Sequence, residues 1–291
     1  MKVNTAYNFS IPLKAIRPLL TAFIIIFYPA LRAGAESSYL SGPVDVKNTH
    51  ILYISHLFMP IESSSVTSEG NNFINAGAVL SNTNYMFDEN GKKGNFDLET
   101  KTFIFSYTRR INETTEFRFC IPFYYNSGGF MDEMIESFHD AIPFSVRNGG
   151  REFVDDNEIH ISYNADGGGP DINSSFYGAG DPSFFLKKVF YNDGLGLTGC
   201  LGIKPWAGAR RFINSNTTDA GITLSADYSR WIFSVFGTGG FTCFFGEGTY
   251  KEELEQKRDW ILILAAGAGM QLSGTIYAAV QFYCNTSPYS T

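Results

Sequence analysis

From Thr115 to Tyr125 apolar and polar positions alternate without a break. Phe117, Phe119, Ile121 and Phe123 fall on one side, and Glu116, Arg118, Cys120 and Tyr124 on the other. A period of two is the signature of a β-strand with two unlike faces. The pattern recurs at Leu195–Ile203, where Leu195, Leu197, Leu201 and Ile203 oppose Gly196, Thr198, Cys200 and Gly202, with Lys204 next on the second face. It recurs again at Ile222–Tyr228, Trp231–Phe245 and Thr275–Tyr283. Nine spanning strands are predicted: 73–86, 96–108, 115–125, 181–191, 195–205, 220–228, 231–245, 260–270 and 274–284. A ten-residue strand tilted near 40° rises about 25 Å, the height of the apolar band of a membrane barrel, whereas soluble strands average only about five or six residues. Tyr107, Tyr124, Tyr125, Tyr191, Tyr228, Trp231, Trp260 and Tyr283 fall near strand ends, where aromatic girdles are expected.

The connections alternate in length. Arg109–Thr114, Asn192–Gly194, Ser229-Arg230 and Gln271–Gly274 are short, and Asp88–Asn95, Asn126–Gly180, Ala207–Asp219 and Gly246–Asp259 are long. In an outer-membrane barrel short turns face the periplasm and long loops face outside. Keeping this parity places Glu158–Tyr163 in the external excursion, or pairs it with a partner near Ile172–Tyr177. Nine strands leave the chain end outside, whereas bacterial barrels have an even count and no open edge. The expectation is therefore a barrel of about 10–12 strands in full form, C-terminally incomplete at Thr291. The alternative is that His50–Phe58 supplies a tenth strand.

The fold class expected is thus all-β, a transmembrane antiparallel up-and-down β-barrel with a long external loop containing one helix. That helix is predicted at Phe130–Ile142, from Phe130, Met134, Ile135, Phe138 and Ile142 at helical spacing, as a cover over the barrel mouth.

The first 35 residues carry four basic side chains and no acid, an apolar stretch of 14 residues from Pro18 to Leu31, and Ala33-Gly34-Ala35. This reads as a cleaved secretory signal, since a spanning helix needs about 20 apolar residues. Residues 36–72 are then expected as a periplasmic N-terminal segment and 73–291 as the barrel. Of 291 residues, 22 are Lys or Arg and 29 Asp or Glu. Removing the signal leaves 18 basic residues against the same 29 acids, a net charge of −11. So acidic a chain argues against nucleic acid as a partner.

The inner positions Glu116, Arg118, Lys187, Lys204 and Asp227 are expected to face the lumen, either filling it as charge pairs or lining an open pore. Asp132, Glu136 and Asp140 stand in line on the helix and could hold a divalent cation, although a solvated acidic face is the favoured reading. His139 and Asp140 with Asp155 and Asp156 match, in residue types, the pairs of omptin proteases, with the His as general base. Their confinement to one loop argues against catalysis. His160-Ile-Ser-Tyr-Asn164 is a poor match to a phospholipase barrel, and Asp166–Pro170 follows no strand-to-helix pattern that would cradle phosphate. Cys120 and Cys200 are predicted inward, Cys243 and Cys284 outward, with no CxxC and no disulfide or zinc site.

Gly42-Pro43-Val44-Asp45-Val46-Lys47-Asn48 resembles the opening of the mature chain in a family of uncharacterised bacterial outer-membrane proteins, domain of unknown function 3187. The resemblance continues through Ser81-Asn82-Thr83, Met131–Asp140, Gly149-Gly150-Arg151, Gly178-Ala179-Gly180-Asp181 and Ser287-Pro288-Tyr289. It implies an outer-membrane barrel and transfers no activity.

The function expected is a small passive channel or structural envelope protein of a Gram-negative-type outer membrane, without cofactor. Its partners would be outer-membrane lipid, lipopolysaccharide and the barrel-assembly machinery. The alternatives are a surface hydrolase around His139 and a soluble periplasmic β-sandwich.

Overall fold

Each of the nine alternating segments is a strand in the computed structural model, which describes residues 43, 47–66, 72–89, 92–141, 158–164, 171–208, 210, 212–246, 248, 258–273 and 276–289. The chain divides into Met1–Leu31, which lies outside the described residues, and Arg32–Thr291, to which everything below refers. The long strands are β1 (Asn72–Glu89), β2 (Lys92–Asn112), β3 (Thr115–Ser127), β7 (Ser183–Asp193), β8 (Leu195–Lys204), β9 (Thr218–Arg230), β10 (Phe233–Phe245), β11 (Trp260–Gln271) and β12 (Tyr277–Asn285). Among the described residues between β3 and β7 lie one helix, α1 (Asp132–Ala141), and three short strands, β4 (His160–Asn164), β5 (Asp171–Ile172) and β6 (Phe176–Ala179).

All pairings are antiparallel, and the long strands follow one another as β1-β2-β3-β7-β8-β9-β10-β11-β12. β4 extends the β3 side of β2 through Lys93–Asp97 and carries β5 on its other edge. β6 extends the β7 side of β3 through Phe123–Asn126. The excursion strand expected at Glu158–Tyr163 therefore does find its partner in Asp171–Ile172. The molecule is an all-β, antiparallel up-and-down sheet of twelve strands. It is not closed into a barrel: among the described residues β1 and β12 remain its edges.

Three sequence expectations are corrected. The connection Asp88–Asn95 is not a long loop. Glu89 pairs with Lys92, so only residues 90–91 join β1 to β2, and Asn90-Gly91 is the dipeptide that a two-residue hairpin favours. The turn placed at Ser229-Arg230 falls at Trp231-Ile232, because Arg230 pairs with Phe233. Trp231 adopts a positive φ of 58° there, a conformation usually left to Gly or Asn. His50–Phe58 is not a tenth strand: residues 51–55 form turns, and the segment packs on one face of the sheet.

The two faces differ in the reverse sense from a soluble sheet. In β8, Leu195, Leu197, Leu201 and Ile203 are exposed, while Gly196, Thr198, Cys200, Gly202 and Lys204 are buried. In β9 and β10, Leu224, Tyr228, Phe233, Val235, Phe241 and Phe245 are exposed, and Thr223, Ser225, Ser234, Thr238 and Thr242 are buried. Leu262, Leu264, Val280 and Phe282 continue the exposed apolar face across β11 and β12, and Phe103, Phe105 and Phe123 carry it across β2 and β3. The chain's own residues 50–65 lie on the polar face, not the apolar one.

Candidate functional site

Residues 50–65 form a strap along the polar face. At the end of the sheet where β1 meets β2, the His50 ring stands edge-on to Tyr85, and Ile51, Leu52 and Ile54 pack with Phe96, Leu98, Tyr124 and Tyr289. Further along, Leu57 and Met59 pack with Phe185, Cys200, Phe244, Ile261 and Ile263. At the opposite end, Ser64 donates from its amide and hydroxyl to Asp227 at 2.8 and 2.9 Å. The strap therefore runs the height of the sheet. The sequence reading set residues 36–72 apart from the barrel domain, yet 50–65 are built into the sheet's inner face.

Inner-face glycines make this fit. A Cβ on Gly202 would stand 2.5 Å from the Met59 sulfur, and one on Gly221 2.7 Å from Met59 Cγ. A Cβ on Gly196 would overlap the Ser64 hydroxyl. Gly196, Gly202 and Gly221 leave the space that the strap occupies.

The five residues predicted to face the lumen all lie on this face, and four of them bond to the strap or to acids that do. Glu62 of the strap sits 3.0 Å from Arg118 and 3.4 Å from Lys187, and Lys187 also pairs with its cross-strand neighbour Glu116 at 3.2 Å. The Lys187 ammonium further donates to the Ser65 carbonyl. Lys204 is buried between Asp181 at 3.2 Å and its cross-strand neighbour Asp219 at 3.3 Å, and donates to Ser215 Oγ and the Thr217 carbonyl. Asp219 in turn accepts the Leu57 amide at 2.8 Å and lies 3.7 Å from His56 Nδ1. Asp181 accepts from the Ala207 and Ser215 amides and from the Asn214 side chain. Buried charges are thus paired and hydrogen-bonded, as they must be to remain charged away from water.

Asp219, Glu62 and His56 were not singled out from the sequence, and Asp181 entered only as the last residue of a quoted motif. For the two strand-flanking acids a signal existed: Asp219 continues the inner series Gly221, Thr223, Ser225, Asp227, and Asp181 continues the inner series Phe185, Lys187, Val189. Nothing local marks Glu62 or His56, since the strap has no strand pairing to give it a period.

Two of the quoted motifs acquire roles here. Gly180 leaves room beside Tyr124, whose ring would be 2.5 Å from a Cβ, and it precedes Asp181. Ser287 and Tyr289, beyond β12, hold the strap from the other side: Tyr53 and Ser287 share a hydrogen bond of 2.7 Å, and His56 Nε2 and Tyr289 share one of 2.9 Å. Tyr124, expected in an aromatic girdle, instead points inward and donates its hydroxyl to the Ile54 carbonyl.

The helix starts from the apolar face, opposite the one that carries the strap. Glu99 and Asn82, which hold its first turn, lie on the apolar face of the sheet. Asp132 is buried and accepts from Asn82 at 3.2 Å. The side chains of Glu136, His139 and Asp140, and residues Asp155, Asp156 and Asp166–Pro170, lie outside the described residues, so neither the cation stripe nor the omptin-like set acquires a geometry. Among the described residues no cluster of His, Cys, Asp and Glu is suited to a metal ion, and none of the four cysteines is in a disulfide.

A family model whose description is "Protein of unknown function (DUF3187)" matches residues 19–291. No curated protein matches significantly.

Proposed function

The chain belongs to that family of unknown function, and from this premise we propose that it is an exported outer-membrane β-barrel whose interior is filled by its own N-terminal strap, a closed envelope component without cofactor. The observation that carries the reading is the reversed amphipathicity of the sheet. An apolar outer face runs across all nine long strands, while charged and hydroxyl side chains are buried inside with the strap. A soluble sandwich does the opposite, packing apolar faces together and leaving polar faces to water. In lipid the arrangement found here is the favourable one.

The margins of the apolar face support the same reading. At one end Arg230 lies over Trp231 at 5.1 Å; at the other, Arg258 lies over Trp260 at 5.3 Å and Lys101 over Tyr125 at 5.2 Å. Aromatic rings with cations beside them are what a membrane–water interface accommodates. β1 and β12 run in the same direction, so a seam joining them directly would be parallel, as in barrels of odd strand number. Outer-membrane lipid and lipopolysaccharide are the partners this surface would meet, and the barrel-assembly machinery would insert it.

The reading is tested by comparing unboiled and boiled outer-membrane fractions by gel mobility. A folded barrel resists detergent and shifts on boiling, which is the expected result. Recovery of the protein in the soluble periplasmic fraction would overturn the membrane reading.

A further inference from the structure

We infer that α1 is an interfacial helix, lying on the outside of the sheet with its exposed apolar residues in the headgroup–acyl boundary of the surrounding lipid. This rests on the membrane reading above and assigns a lipid contact to the excursion between β3 and β7.

Asn82, Glu99 and Ser127 are cross-strand neighbours, forming one polar row at the edge of the apolar outer face of β1, β2 and β3. The helix begins on that row. The Glu99 carboxylate accepts the amides of Phe130 and Met131, and Asp132 is held by Asn82. Gly129, at φ 83°, turns the chain against Glu99 so closely that any Cβ would overlap the carboxyl group. The entry of the helix onto the outer face is therefore fixed by the fold.

Phe130, just before the helix, and Met134 on it do not pack down on the sheet, while Ile135 is half-buried. Phe130 and Met134 are 59% and 57% exposed, immediately beyond the exposed band of Phe103, Phe105, Phe123 and Tyr125. Lys101 stands at this margin with its ammonium 5.2 Å from the Tyr125 ring and 5.6 Å from the Phe130 ring. A band of apolar surface that continues onto an amphipathic helix at its margin, with a cation between aromatic rings, is the geometry of a helix lying in the interface plane. The helix opens with Asp132 and Glu133, so attraction to anionic headgroups does not drive the contact. It is apolar, and should be insensitive to salt.

The test uses the full chain with Trp206, Trp231 and Trp260 replaced by Phe, refolded into phosphatidylcholine vesicles whose acyl chains carry bromine at a shallow or a deep position. Single tryptophans are introduced as Met134→Trp, as Phe130→Trp, and as Leu264→Trp in the middle of the exposed face. Folding of each is verified by the gel shift. The expected result is shallow-bromine quenching of Met134→Trp or Phe130→Trp of at least about half the deep-bromine quenching of Leu264→Trp, unchanged by salt. Quenching at Leu264→Trp with water-exposed, unquenched emission from both helix positions overturns the inference and leaves the membrane reading intact. Helix tryptophans shielded from water yet unquenched overturn it too, because a second copy or another protein then covers the patch. No quenching at Leu264→Trp removes the membrane reading itself.

Discussion

Single side chains tie the strap to the sheet, and each has a distinct physical signature. Burial among Tyr53 and Tyr85 lowers the His50 imidazole pKa to about 4. Its Nδ1 accepts the Leu52 amide, so protonation there would also break that bond. The folded state thus binds the proton less readily than the unfolded chain. The stability His50 supports is present in full above its ordinary value of 6.5 and is lost as pH falls through about 4. Hydrogen-exchange protection of the Leu52 and Ile54 amides should hold near neutrality and decline between those limits, and His50→Phe should flatten that part of the profile. Glu62 answers to charge instead. Glu62→Gln removes the carboxylate that lies 3.0 Å from Arg118 and 3.4 Å from Lys187. Removing one partner from a buried pair costs about 3 kcal/mol, which would accelerate exchange of the Ser64 amide roughly 100-fold. Unchanged exchange in that variant would mean that the ion pairs do not hold the strap.

At the scale of elements, the strap and the inner strands are matched by volume. Gly202→Ala brings a methyl group against the Met59 sulfur and the Phe185 ring, and overpacking of this kind costs about 1–3 kcal/mol. Met59→Ala empties the same space from the other side. The double variant should be less destabilised than the two single effects added together, as read from denaturant midpoints of the refolded protein; strict additivity would show that the strap is not seated there. This matching also explains what could be read from the sequence. All nine long strands were legible, because a period-two pattern sustained over ten residues is imposed by the two unlike environments of a sheet. Inner-face charges Glu116, Arg118, Lys187, Lys204 and Asp227 followed from the same period. Element ends were less legible: the pairing of Glu89 with Lys92 was hidden among polar residues, and the turn at Trp231-Ile232 by a tryptophan holding a backbone conformation that favours glycine. The strap was illegible in kind. Its residues 50–58 read as a strand, and its partners are distant in sequence, 162 residues apart for Leu57 and Asp219. Exposure of Phe130 and Met134 was equally hidden, since helical spacing identifies an apolar stripe without saying whether protein or lipid receives it.

For the whole molecule, the question between channel and closed envelope component becomes a question about one segment. Closed as proposed, a sheet of this size would have room inside for side chains or for a narrow passage, and here the strap lies along the inner face from the Tyr85 end to the Asp227 end. If the strap is what closes the interior, repelling it should open a conducting path and restoring the attraction should close it. Lys187→Glu places a carboxylate opposite Glu62 and beside Glu116 and leaves the apolar outer face untouched. In planar bilayers the native protein should be electrically silent, Lys187→Glu should show single-channel steps, and Lys187→Glu combined with Glu62→Lys should be silent again. The reciprocal pair is the decisive arm, because a leak caused by general loosening of the barrel would persist in it. Steps of equal size from the native protein would show instead that ions pass beside the strap, and the protein would then be a constitutive small channel with an internal lining rather than a closed one.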